Sequence, residues 1–138
     1  MRSNCAWITI YNVYTNPATR QPAYQRVTVP DVTWENRRAA NKSAAGEIAA
    51  NKATIYILLT RCANYLNPRA WQALPVKTGK WTLQDGDVIV RALATEELTG
   101  AFTVTALKAK YDDCLTITSV DLMDLGSSAI RHYQVEGS

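Results

Sequence analysis

The chain has 138 residues, 47% hydrophobic and 20% charged, a balance that excludes disordered, collagen-like and coiled-coil proteins and suffices for one self-supporting core. With 15 Lys and Arg against 12 Asp and Glu, the net charge of +3 is too small to announce a nucleic-acid binder, though it leaves room for a local basic patch. Cys5, Cys62 and Cys114 stand far apart without metal spacing and read as reduced thiols of a protein made in a cytoplasm. Residues 1–13 are expected to carry no secretion signal, because Thr9 and Asn12 interrupt the apolar run, and no stretch approaches the ~18 apolar residues of a membrane span.

Residues 7–14 alternate, putting Ile8 and Ile10, and with them Asn12, on one side and Trp7, Thr9, Tyr11 and Val13 on the other, which predicts a strand. Asn16 and Pro17 break it, and residues 24–29 resume in extended form, so the first two strands form a hairpin with a long connection. Pro30 and Asp31 end the second strand, and residues 32–35 read as a third, short one. Residues 36–53 are polar and alanine-rich and cannot fill a core. They read as a solvated loop or a short helix, with a segment ordered only by a partner as the alternative.

Residues 54–59 are the clearest buried strand, expected to be central. Between Pro68 and Pro75 there is room for one helical turn supporting Trp71. Asp85 and Gly86 predict a turn between short strands on either side, within residues 81–90. Residues 102–111 are the best helix candidate, with Phe102, Ala106 and Leu107 near one face, although Thr103, Val104 and Thr105 argue for a strand. Residues 114–121 alternate as a strand, and residues 131–135 close the chain as another. The expected fold is all-β, a barrel or sandwich of six to seven short strands with one short helix and a long loop, in a single domain over residues 1–138 with the loop inserted at about 36–53.

Chemistry finds little raw material. His132 is the lone histidine and has no acid at local spacing, so neither a hydrolase triad nor a zinc site is expected; no catalytic, metal or cofactor residue is assigned. Asp85 with Asp87, Asp112 with Asp113, and Asp121 with Asp124 read as turn and strand-end carboxylates bonding nearby backbone donors. The glycines are isolated, so a phosphate-cradling loop is disfavoured. Arg37, Arg38, Lys42 and Lys52 stud the alanine-rich excursion, either as solubilising charges or as contacts to phosphates or acidic neighbours. Trp34, Trp71, His132 and Tyr133 are the candidate interface residues, because aromatics are enriched at such surfaces.

The combination of residues 8–12, 32–35 and 82–90 with Tyr111, Asp112, Asp113, residues 116–121, 123–127 and 132–135 resembles small head-to-tail connection (neck) proteins of tailed bacteriophages and prophages. The resemblance covers nearly the whole chain and is most specific in its last third. It implies a non-enzymatic minor virion protein, a small β barrel of the head-closure or stopper kind. Such a protein forms a homo-oligomeric ring between the portal or adaptor and the tail, and its axial loops help to retain packaged DNA. A tail-terminator or adaptor ring is the alternative within the neck. A monomeric ligand-binding barrel or small enzyme is the alternative of another class.

Overall fold

The computed structural model describes residues 5–36, 52–58, 64–99, 101–123 and 131–138. Within them lie six strands, β1 (Cys5–Thr15), β2 (Pro22–Asn36), β3 (Ala53–Leu58), β4 (Val88–Val90), β5 (Cys114–Met123) and β6 (His132–Gly137), and two short helices, α1 (Pro68–Gln72) and α2 (Val104–Lys110). The strands close a barrel in the order β1-β2-β3-β6-β5-β4, with every neighbouring pair antiparallel. The all-β expectation is thus met, with two helices where one was expected. Residues 37–51, which include Arg37, Arg38 and Lys42, lie outside the described residues, as do Cys62 and Asp124; Lys52 is exposed just before β3.

β1 and β2 form the expected hairpin. Asn16 shapes its connection: its side chain accepts from the Ala18 N–H at 2.9 Å, while its N–H donates to the Gln21 carbonyl at 2.9 Å. Pro30 and Asp31 do not end the second strand. The register jumps from Ala6 opposite Val32 to Ile8 opposite Val29, so both residues bulge out of one continuous 15-residue strand. A bulge suits this pair, since Pro30 has no N–H to give the ladder and Asp31 adopts φ 57°. Beyond it Val32 and Thr33 still pair with Ala6 and Cys5 of β1, and on the other edge Thr33 to Asn36 pair with Tyr56 to Ala53 of β3.

Residues 81–84 are likewise not a strand. The side chain of Asn12 takes the place of a neighbouring strand there: its Oδ1 accepts from the Thr82 N–H at 3.1 Å and its Nδ2 donates to the Thr82 carbonyl at 2.7 Å. The Asp85–Gly86 turn does form, with Gly86 at φ 94°.

Ile8, Ile10, Val29, Val32, Trp34, Ile55, Ile57, Ile89, Leu115, Ile117 and Val135 fill the lumen, and Trp81 and Leu83 join the same core from outside the sheet. A second cluster lies on the outer face. The connection from β4 to β5 folds back over the barrel so that Ala94, Leu98 and Leu107 of α2 bury Tyr11, Val88, Val90 and Cys114. β4 is therefore buried on both faces, which is why its three residues show no alternation. Thr103 is not a strand residue but the cap of α2, its hydroxyl accepting from the Ala106 N–H at 3.3 Å.

Candidate interaction surfaces

Three side-chain assemblies determine which surfaces the barrel presents. The first is a buried polar clasp where β1 and β4 meet residues 82–84. The carboxylate of Asp87 accepts from Asn12 Nδ2 at 2.6 Å, the Val13 N–H at 2.9 Å, the Gln84 N–H at 3.0 Å and Gln84 Nε2 at 2.9 Å. Desolvation pushes its pKa up to about 6 in spite of those four donors. The expected bond to a nearby backbone donor is present, at Gln84, but the bonds to Asn12 and Val13 span the fold. Asp87 therefore locks the barrel rather than dressing a turn.

The second assembly fastens the outer cover. Tyr11 donates its hydroxyl to the Glu96 carbonyl at 2.7 Å, and the Glu96 carboxylate accepts from Tyr111 at 2.8 Å and from Lys110. The bonds from Lys110 and Tyr111 hold Glu96 well below the usual carboxylate range, and Lys110 is raised in return. Arg26 ties the cover to β2 through Glu97 at 2.7 Å and the Ala94 carbonyl at 3.1 Å. Arg91 and Asp113 pair at 3.7 Å across its base. Cys114 is a free thiol beneath the cover, pushed up to about 11 by burial, while the Cys5 side chain lies outside the described residues.

The third joins α1 to the β1–β2 arm. Trp71 meets the ring of Tyr14 edge-on at 5.9 Å and donates its indole N–H to the Lys80 carbonyl at 3.2 Å. Lys77 Nζ sits 5.0 Å from the Tyr14 ring centre and 5.2 Å from that of Trp71, while donating to the Leu74 carbonyl at 2.8 Å. Beside them opens a cavity of about 450 Å³ lined by Tyr14, Thr15, Pro17, Gln25, Lys77 and Thr78, among others.

These contacts correct the placing of Trp34 and Trp71 at an interface. Trp34 is 1% exposed inside the lumen and Trp71, the buried residue of α1, is 0% exposed, so neither has area left for a partner. Both follow from hydrophobic burial winning over the surface role of an aromatic. His132 and Tyr133 are half-buried in an aromatic row, with His132 edge-on to Tyr56 at 5.5 Å and Tyr133 against Tyr65 at 4.8 Å. Among the described residues no three His, Cys, Asp or Glu side chains are grouped as a metal ion would need, and no helix is long and apolar enough to cross a membrane.

The large apolar side chains that do face solvent are others: Trp7 at 48%, Val76 at 70%, Leu93 at 56%, Leu122 at 49% and Met123 at 39%. Thr9 and Cys114 both pair with Val90, so Trp7 lies beyond one end of β4 and Leu122 and Met123 beyond the other. β5 outruns its neighbour on one side. It pairs with β4 only at Cys114, Leu115 and Thr116, and Ile117 bonds Asp87 and Gly86, whereas pairing with β6 continues to Met123. The β4-side edge of residues 118–123 therefore has no strand against it among the described residues. Only the alternating pattern of residues 114–121 pointed to this strand in the sequence; its overhang depends on where β4 stops, which no local signal gives.

Fold and surfaces together define a small closed antiparallel barrel with a filled lumen, whose distinguishing features lie outside it. The chain matches the family described as Family of unknown function (DUF6751) over residues 4–138, and it belongs to that family. No curated protein and no solved structure matches it.

Proposed function

We propose that the protein is a structural subunit of the head-to-tail connector of a tailed phage, one member of a head-closure ring that joins the portal or adaptor to the tail. The observation that carries the reading is the pair of unlike exposed surfaces at opposite ends of β4. Trp7 marks one, and the overhanging edge of β5 with Leu122 and Met123 marks the other. A cyclic assembly needs two different patches that meet head to tail, and an unpaired strand edge gives main-chain hydrogen bonds to whatever chain adds to it. The filled lumen favours this role over a ligand-binding capsule, since small barrels packed with side chains have no room for a guest. The sequence resemblance to neck proteins supplies the biological setting, with DNA retention as the task of the assembled ring.

Solution assembly tests this. Light scattering across a concentration series should give a discrete oligomer, alone or with the portal complex. Leu122→Lys places a charge on an exposed side chain and should give a monomer with an unchanged circular dichroism spectrum. A wild type that stays monomeric at high concentration and ignores portal complexes would overturn the proposal.

A further inference from the structure

The 12 acidic residues are unevenly distributed: residues 1–30 contain none and residues 64–84 contain none. The fold brings these two stretches together. Trp71 packs on Tyr14, Gln72 Nε2 donates to the Val13 carbonyl at 3.0 Å, and the same cavity is lined from both sides. Their exposed cations are Arg20 in the hairpin connection, Arg69 on α1, and Lys80. Arg20 and Arg69 have no carboxylate partner among the described residues, and Lys80 reaches only the amide oxygen of Asn64, at 3.4 Å. Glu96, Glu97 and Asp113 of the outer cover are engaged by other cations, Lys110, Arg26 and Arg91. These two stretches contribute cations and no acid of their own, a bias that the net charge of +3 conceals; the carboxylate bonded to both, Asp87, is buried, and the exposed Asp85 follows the second stretch.

We infer that the end formed by these two stretches is a contact surface for the phosphate backbone of DNA. Phosphates accept hydrogen bonds from neutral donors as well as from cations. The cavity beside Lys77 presents the hydroxyls of Thr15 and Thr78 and the amide of Gln25. Several unpaired cations on extended stems suit a repeating anion better than a single small one, and they bind it without reading sequence. Lys77 is held by Tyr14, Trp71 and two carbonyls, so it contributes fixed positive charge rather than a swinging contact. The inference does not depend on ring formation.

Binding of the full chain to a short duplex of random sequence, followed by fluorescence anisotropy from ~50 to ~200 mM salt, tests it. The triple variant Arg20→Asn, Arg69→Gln, Lys80→Gln is chosen to keep the fold, Asn being tolerant of the φ of 59° at position 20. The slope of log affinity against log salt should fall by about one per cation removed, with a loss of more than about tenfold in affinity at the lowest salt. Lys108→Gln, on the exposed face of α2, should leave both unchanged. An unchanged slope in a folded triple variant, or no binding by the wild type at ~50 mM salt, overturns the inference while leaving the ring proposal intact. Polyglutamate bound more tightly than the duplex would also overturn it and assign the face to an acidic protein.

Discussion

Asp87 is completely buried and accepts four hydrogen bonds, none of them from a charged group. Its pKa stands at about 6 against an ordinary 3.8, with desolvation as the largest cause, so folding favours the protonated form. Its contribution to stability is therefore fully present below pH 3.8 and is lost as the pH rises through 6. Two units correspond to roughly 3 kcal/mol. Asp87→Asn removes this titration, so wild type should lose stability relative to the variant between pH 4 and 7, by up to about 3 kcal/mol in urea unfolding. A wild type that gains on the variant over that range would mean that the four donors outweigh burial. Nothing in the spacing of Asp85 and Asp87 distinguished the exposed one from the buried one, because the donors that define the clasp come from Asn12 and Val13, more than 70 positions away. The tryptophans illustrate the same point. Residue type alone suggests an interface, but Trp34 sits beside Ile55 of the neighbouring strand in the lumen and Trp71 is the buried residue of α1, and both are decided by which face of an element turns inward.

Among the elements, α2 and the chain leading to it are held to the barrel by side-chain packing and side-chain hydrogen bonds and not by a strand ladder, with Leu107 the most buried of their side chains. Leu107→Ala should cost about 2–4 kcal/mol through the cavity it leaves. In hydrogen exchange, amides of residues 94–111 should lose protection before those of β1, β2 or β6. Simultaneous loss in all strands would show that cover and barrel unfold as one unit. The sequence disclosed the elements whose signals are local: the alternation in β1 and β5, the apolar run of β3, the break at Asn16 and the helical turn between two prolines. It misled where a local signal had a non-local use. Pro30 and Asp31 read as a terminus because each disfavours a ladder, yet a bulge absorbs both and lets one strand serve two neighbours. Residues 81–84 read as a strand, yet Trp81 makes only an isolated bridge to Tyr65 and the partner of Thr82 is an asparagine side chain.

At the scale of the whole molecule, closure of six strands leaves a short β4 between two longer neighbours, and that shortness exposes the edge of β5. Charge is unevenly spread as well, with the ion pairs of Glu96, Glu97 and Asp113 on the outer cover and at its base, and Arg20 and Arg69 without a carboxylate partner among the described residues. A ring built from such subunits would present each of these surfaces at a fixed position relative to its axis. The most direct test is to find the protein in the particle. Mass spectrometry of purified virions from a lysogen carrying the gene, with gold labelling of a tagged copy under the electron microscope, should place it at the junction of head and tail, several copies per particle. Complete, infectious particles that lack the protein, or label found elsewhere on them, would contradict the account.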